Sequence, residues 1–243
     1  MSKVAVLQEQ IAANRRAYQV CVALVVAGLA LLGLLVALPL GRWVVGLLAG
    51  VAVAAPLVGF APGAGERAAL RATAAEPADP ARWARYHNLV EGLCLAAGLP
   101  MPRLYVVDSD AANAFSVGRD PERAALVVTG GLLAGLNRVE LEGVLAHELN
   151  HIWSWGARLA ALGVIFGRLP LLRRLTTPPR REFDADEGSA RLTRYPPGLV
   201  SALRKLAAGE PPGPPNLRHL WIVASDDDTR PPLPERIAAL QEL

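Results

Sequence analysis

The sequence predicts an α+β fold, in which a mainly helical domain with a small β-sheet follows an N-terminal hairpin of two membrane-spanning helices. Three observations support this prediction. Two long apolar runs lie near the N-terminus, helical patterns dominate after about residue 80, and three short β-rich runs lie within residues 103–129. Hydrophobic residues make up 52% of the 243 residues, which favours a membrane-associated chain.

The two apolar runs predict a transmembrane hairpin. Residues 18–40 contain no charged side chain and are long enough to cross about 30 Å of hydrocarbon. After a short glycine–arginine turn, residues 43–61 form a second run. Tyr18 and Trp43 lie near the ends of the runs, where aromatic side chains are favoured at the membrane surface. The alternative is a hairpin buried in a soluble core.

Basic residues flank the hairpin on both sides, whereas a single arginine, Arg42, lies between the two runs. The flanking residues are Lys3, Arg15, Arg16, Arg67, Arg71, Arg82 and Arg85. Positive charge accumulates on the cytoplasmic side of membrane proteins. We therefore expect residues 1–17 to be a cytoplasmic N-terminal segment, and the part after the hairpin to face the cytoplasm as well.

A change in composition separates the hairpin from a globular domain. Residues 62–79 are rich in alanine, glycine and proline, and we expect a linker or a loosely packed stretch beside the membrane there. Residues 80–243 form the predicted domain. Its strands are predicted at 103–108, 112–117 and 124–129, and its helices at 81–98, 130–136, 138–154, 198–208 and 234–242, with a short strand or helix at 217–223.

Residues 152–172 are apolar, but Arg158, Arg168 and Pro170 interrupt them. The segment could be a core helix, a helix on the membrane surface, a paired or re-entrant insertion, or a poor third span. A single span would place Glu182 on the opposite side of the membrane from the histidines discussed next. We therefore favour a globular or interfacial position.

Two histidines in a predicted helix indicate a metal site. His147 and His151 are four residues apart, so both imidazoles lie on the same helical face and can bind one ion. Glu148 flanks that face. A catalytic zinc needs three protein ligands and an open position for water. The pattern thus predicts one Zn²⁺ ion, with Glu148 as the general base that takes the proton of the water.

The third ligand must come from elsewhere in the chain. Glu182 and Asp186 are also four residues apart and share one helical face. One of these carboxylates can bind zinc while the other accepts a hydrogen bond from a ligating histidine. Their spacing leaves open which of them has which role.

The composition argues against other classes of protein. The net charge is only +3 and the arginines are scattered, so nucleic acid is not an expected partner. Two apolar runs that show no repeat and no polar site in the middle of the membrane do not favour a transporter. No pattern in the chain specifies an oligomeric state.

Longer motifs give the zinc pattern a context, and with them the chain resembles the HtpX family of membrane zinc metalloproteases. The resemblance extends from about Tyr86 to Leu240. Its motifs are Asn88–Leu93, Gly98–Pro102, Val107–Ser109, Asn113–Gly118, Thr129–Leu133, Glu140–His151, Arg181–Asp186 and Arg236–Ile237.

The resemblance implies a zincin-like domain of the gluzincin type, in which the HExxH motif is followed by a downstream ExxxD. It implies that His147, His151 and Glu182 bind zinc, that Glu148 is the general base, and that Asp186 contacts a ligating histidine. It further implies that Asn113, Ala114 and Phe115 form an edge strand that holds an extended substrate by backbone hydrogen bonds.

The resemblance also implies a location and a role. The implied location is a bacterial inner (plasma) membrane, which the protein crosses more than once. Its catalytic domain would face the cytoplasm, and the protein would contact the lipid bilayer. Unfolded or membrane proteins would be its substrates, in protein quality control.

Three positions depart from the family pattern. Gly156 stands near the place of a frequent acidic residue, and residues 152–181 are short for the second membrane hairpin of the family. Thr229-Arg230-Pro231 replaces a frequent Thr-His-Pro. Arg230 could stabilise the oxyanion of the reaction as a fixed cation, or it could mark weakened catalysis. The predicted function is therefore a membrane-anchored zinc endopeptidase, with a non-proteolytic membrane-associated binding protein of the same fold as the alternative.

Overall fold

The computed structural model describes residues 3–224 and 230–243. Its strands are β1 (Glu76–Pro77), β2 (Arg103–Val107), β3 (Ala114–Val117) and β4 (Ala125–Thr129). Its helices are α1 (Lys3–Ala37), α2 (Trp43–Ala72), α3 (Ala84–Ala97), α4 (Gly130–Gly135), α5 (Arg138–Trp153), α6 (Gly156–Phe166), α7 (Pro170–Thr176), α8 (Arg180–Thr193), α9 (Pro196–Leu206) and α10 (Leu233–Gln241). The predicted α+β fold is confirmed.

Helices α1 and α2 form an antiparallel hairpin that is joined by a short 3₁₀ turn, Leu38–Leu40. A Cβ atom on Gly33 would collide with the backbone oxygen of Gly46, so glycine allows the two backbones to touch. Both helices are long and apolar enough to cross a membrane, and only 6% and 17% of their most apolar windows are buried. The predicted span at 43–61 lies inside α2, whereas the one at 18–40 follows α1 as far as Ala37 and ends in the 3₁₀ turn.

The expected linker at 62–79 is helical as far as Ala72, so this prediction was wrong for residues 62–72. Its small residues allow close packing instead. A Cβ atom on Gly65 would collide with the backbone oxygen of Ala161 in α6, and Ala69 is fully buried. Glu66 forms an ion pair with Arg103 of β2. The second helix of the hairpin therefore continues into the globular domain.

The four strands form one sheet in the order β1-β2-β4-β3. Strands β2 and β4 are parallel and the other two pairs are antiparallel. Strand β3 therefore lies at an edge, where it contacts α5 and α6. The main core fills the space between the sheet and α5 with fully buried side chains, among them Leu126, Leu141, Leu145 and Leu149.

Residues 152–172 form neither a span nor one continuous helix. The chain turns at Trp155, which has a φ of 67°, and continues as α6 and α7. Helix α6 has 11 residues, too few to cross a bilayer. It packs against α2, and α7 packs against α1.

Candidate metal centre

Helix α5 is held rigidly at its N-terminus. The Asn137 side chain accepts a hydrogen bond from the backbone N–H of Glu140, and the Glu140 carboxylate accepts one from the N–H of Asn137. Ser201 and Lys205 of α9 donate to the same carboxylate, each at 2.7 Å. Burial raises the pKa of Glu140, but its bonds to Lys205 and Ser201 outweigh burial, so the pKa lies below its ordinary value. The carboxylate thus fixes α5 against α9.

The structure brings His147, His151 and Glu182 together in the interior. Their donor atoms all lie within 4.8 Å of one another. The Nε2 atoms of the two histidines are 3.2 Å apart. Nε2 of His147 lies 3.7 Å from Oε2 of Glu182, and Nε2 of His151 lies 3.5 Å from Oε1. Two imidazoles and a carboxylate are a donor set that zinc takes, so the residues present fit the ion.

Asp186 faces the other side of the same histidine. Its Oδ1 atom lies 2.8 Å from Nδ1 of His147, and a hydrogen bond there leaves Nε2 directed at the metal position. The spacing in the sequence left the roles of these two carboxylates open. In the structure, Glu182 faces both histidines, whereas Asp186 contacts the opposite ring nitrogen of His147.

A buried arginine that our sequence reasoning did not assign holds Asp186 in place. Arg236 of α10 donates two hydrogen bonds to Asp186, and its Nη1 lies 3.5 Å from Glu182. Burial raises the pKa of Asp186, but the charge of Arg236 outweighs burial and lowers it. The only signal in the sequence was the Arg236–Ile237 motif in the final helix.

Glu148 points toward β3. Its Oε2 atom accepts a hydrogen bond from Oγ of Ser116 at 2.7 Å, and both residues are buried. Burial raises the pKa of Glu148 above its ordinary value, although the hydrogen bond from Ser116 opposes this shift. A raised pKa suits a group that must take up a proton near neutral pH. Our sequence reasoning also missed Ser116, which lies in the Asn113–Gly118 motif.

Arg230 lies beside Glu182, the third predicted metal ligand. Its Nη1 donates to Oε2 of Glu182 at 2.9 Å, and it also donates to the backbone oxygens of Ile222 and His219. Burial raises the pKa of Glu182, but the charges of Arg230 and Arg236 outweigh burial and hold the pKa well below its ordinary value. Glu182 is thus kept ionised. Thr229, the preceding residue of the motif, lies outside the described residues.

The second histidine lacks the support that the first one has. No described residue accepts a hydrogen bond from Nδ1 of His151, although this atom is buried. A Cβ atom on Gly156 would lie 3.3 Å from this nitrogen. Burial lowers the pKa of His151 well below its ordinary value, which keeps the ring neutral and able to bind metal.

The predicted substrate strand is covered by the chain itself. Ala114 accepts a hydrogen bond from the N–H of Ile222 at 2.8 Å, and Asn113 donates to the backbone oxygen of Val223 at 2.7 Å. Phe115 packs edge-on against Trp221, with ring centroids 4.7 Å apart. Asn113, Ala114 and Phe115 are all buried, so an extended substrate could pair here only after residues 221–223 move.

The cavity beside the candidate centre is correspondingly small. Its volume is about 10 Å³, which is room for about one water molecule. Ser116, Glu148 and His151 line it together with Gly156, Ala157, Ala160, Arg181 and Leu220. Arg230 is not among these lining residues. The described residues therefore enclose the candidate centre tightly.

Comparison with known proteins places this site in a family. Residues 80–163 match the profile described as Peptidase family M48. A protein named "Protease HtpX homolog" from Kineococcus radiotolerans is 38% identical over 230 residues, which cover 72% of this chain and 78% of that protein. A protein with the same name from Streptococcus agalactiae is 32% identical over 215 residues, which cover 65% of this chain and 73% of that protein.

A third relative with this name, from Dictyoglomus turgidum, is 39% identical over 160 residues. The match covers 49% of this chain and 53% of that protein, so the chain spans about half of its length. The profile covers both motif histidines and Glu148, and the longer matches extend through most of the chain. The chain therefore belongs to peptidase family M48, as an HtpX-like member.

Proposed function

We propose that this chain is a membrane-anchored, zinc-dependent endopeptidase. The observation that carries the proposal is the buried set of His147, His151 and Glu182 with Glu148 beside it. Two imidazoles and one carboxylate leave the fourth position of a tetrahedral ion open for water, as catalytic zinc requires. The raised pKa of Glu148 supports its role as the base.

The residues of this chain would divide the work as follows. His147, His151 and Glu182 hold the ion, which when bound lowers the pKa of water and polarises the peptide carbonyl. Glu148 accepts a proton from the attacking water and delivers it to the leaving amine. Ser116 orients Glu148 through its 2.7 Å hydrogen bond. Asp186 orients His147 through the contact with its Nδ1 atom.

The substrate would bind as an extended strand along the edge of β3. Residues 114 and 116 direct their backbone groups away from β4, because the ladder places the bonds to β4 on residues 113, 115 and 117. Ser116 also contacts Glu148, so its backbone is the part of this edge next to the catalytic base. We propose that residues 221–223 leave Ala114 before a substrate strand takes their place.

We further propose a location in the inner (plasma) membrane, with two passes and the catalytic domain in the cytoplasm. The basic residues on both flanks of the hairpin support this orientation. A closed site beside a membrane anchor suits a protease that acts on unfolded or membrane proteins in quality control. A C-terminal reporter that is active only outside the cytoplasm would contradict the orientation.

Metal removal and return test the proposed chemistry. Cleavage of unfolded casein is measured with the purified protein, again after a chelator has removed its metal, and once more after zinc has been added back. We expect cleavage to stop on chelation and to return with about one zinc per chain. A chain that binds no zinc, or that cleaves equally well after chelation, would not be this enzyme.

A second candidate function is a binding protein that keeps the fold and has lost turnover. The contact of Arg230 with Glu182 favours it, because a guanidinium at 2.9 Å competes with the metal for that carboxylate. An Arg230→His variant separates the candidates. If the wild type binds zinc without cleaving casein, and Arg230→His cleaves it, the binding function is the better description. If the wild type cleaves casein and Arg230→Ala loses this activity but keeps zinc, Arg230 contributes to catalysis.

A further inference from the structure

Helix α7 contacts the hairpin at the depth where the hydrocarbon would begin. Leu172 forms a buried cluster with Cys21 of α1 and Ala61 of α2. Cys21 is three residues inside the apolar run 18–40, which corresponds to about 4.5 Å along the helix. Ala61 is the last residue of the run 43–61. If the hairpin crosses the membrane as proposed above, Leu172 lies at the level of the first helical turn inside the hydrocarbon.

Large apolar side chains next to this contact are exposed. Leu169 and Leu171 are 55% and 60% exposed, and Ile165 of α6 is also exposed. Leu171 lies on α7, and Leu169 directly precedes this helix. Both α6 and α7 pack against the hairpin. We call Ile165, Arg168, Leu169, Leu171 and Arg174 the α6–α7 surface. Exposed leucines at this depth would contact lipid rather than water.

The charge of the segment also matches a membrane surface. Residues 156–179 contain four arginines and no aspartate or glutamate. Arg168 and Arg174 are exposed beside the leucines. Anionic headgroups attract such arginines, and the long side chains can keep their charge at headgroup level while their stems contact apolar groups.

Aromatic residues at the same level connect the segment to the start of the first span. The guanidinium of Arg158 lies 3.8 Å from the ring centre of Tyr18, and that of Arg15 lies 4.9 Å from the ring of Trp155. Tyr18 is the first residue of the apolar run. Cation–π pairs of this kind fix α6 beside the end of the span.

We propose that the α6–α7 surface lies in the headgroup layer of the leaflet on the catalytic side and binds anionic phospholipids. The chain then contacts the membrane in two ways, by a hairpin that crosses it and by a short helical pair that rests in its surface. The occupant follows from the continuity of the surface with the spans and from the charge of the arginines. This inference rests on the anchoring part of the proposed function, but not on zinc or on proteolysis.

Depth-dependent quenching of a fluorophore tests the proposal. In full-length protein with Cys21 and Cys94 replaced by alanine, Leu171→Cys is labelled with an environment-sensitive dye. The matched control is Leu95→Cys on α3, where the native leucine is 75% exposed. Both proteins are placed in vesicles of phosphatidylglycerol and phosphatidylethanolamine that contain brominated lipids. We expect the dye at residue 171 to be quenched at least three-fold more than the dye at residue 95.

A charge-reversal variant tests the lipid preference. With bromine on phosphatidylglycerol alone, the dye at residue 171 should be quenched at least three-fold more than with bromine on phosphatidylethanolamine alone, and Arg168→Glu with Arg174→Glu should abolish this difference. Arg194→Glu with Arg204→Glu, two exposed arginines elsewhere in the domain, should leave it unchanged.

Three outcomes would overturn the inference. Equal, weak quenching at residues 171 and 95 in a protein that resists carbonate extraction would show that the surface is in water. A dye at residue 171 that is shielded without brominated-lipid quenching would show that protein, such as a second copy of the chain, covers it. Release of the protein by carbonate would overturn this inference together with the anchoring part of the proposed function.

Discussion

Arg236 donates two hydrogen bonds to Asp186, from Nε to Oδ2 at 2.8 Å and from Nη2 to Oδ1 at 2.7 Å. Asp186 in turn lies 2.8 Å from Nδ1 of His147. The last helix of the chain therefore orients a candidate metal ligand on the motif helix through a single carboxylate.

Replacing Arg236 by lysine should weaken zinc binding. Lysine keeps the charge but lacks the planar pair of donors that bonds both oxygens of Asp186, so His147 loses part of its orientation. Loss of such a supporting contact typically costs about 10–100-fold in metal affinity. Competition with a chromophoric chelator measures this directly. Arg204→Lys, at an exposed position on α9, is the control, and an Arg236→Lys protein with unchanged zinc affinity would refute the positioning role.

A substitution at Gly156 should strengthen zinc binding, in contrast to the change at Arg236. A carboxylate at this position should accept the hydrogen bond for which Nδ1 of His151 has no described partner. The new Cβ would lie 3.2–3.4 Å from its neighbours, so the helix start must shift slightly. Gly156→Ala introduces the same Cβ without an acceptor and is the matched control. We expect Gly156→Asp to bind zinc about 10-fold more tightly than Gly156→Ala. Equal affinity of the two variants would show that His151 needs no acceptor.

The Glu140 contacts predict a pH-dependent stability. Because the pKa of Glu140 is lowered in the folded chain, its contribution is fully present above its unfolded value and is lost as the pH falls through the folded pKa. Glu140→Gln should cost about 1–3 kcal/mol of unfolding free energy at pH 7, since it removes hydrogen bonds to a charged group. The cost should shrink as the pH drops below about 4.

Urea unfolding of wild type and variant across this pH range provides the measurement. Glu142→Gln, at a half-buried position on the same helix, serves as the control and should show little change. A Glu140→Gln penalty that is equally large at low and neutral pH would mean that the lost charge is not its cause.

The local part of the site was readable from the sequence, but its long-range contacts were not. His147, Glu148 and His151 follow from helical spacing, and Glu182 with Asp186 follows from the same rule. Spacing could not decide between the two carboxylates, because the answer depends on how α8 crosses α5. Ser116 and Arg236 contact residues that are 32 and 50 positions away, and no local pattern marks such pairs.

The same limit explains the error at residues 62–72. Glycine, alanine and proline are typical of linkers, yet Gly65 and Ala69 allow α2 to pack closely on α6. Composition shows that the side chains are small but not what lies against them. The edge position of β3 could be anticipated, whereas the cover formed by residues 221–223 depends on a contact between distant parts of the chain.

The measurement that tests the central claim most directly is zinc content and casein cleavage by wild type and Glu148→Gln, prepared side by side. Glutamine keeps the size of the side chain but cannot take the proton of the water. We predict about one zinc per chain in both proteins, and a loss of at least 100-fold in cleavage rate in the variant. Cleavage that survives Glu148→Gln, or wild-type protein that lacks stoichiometric zinc, would contradict the assignment of this site as a zinc peptidase centre.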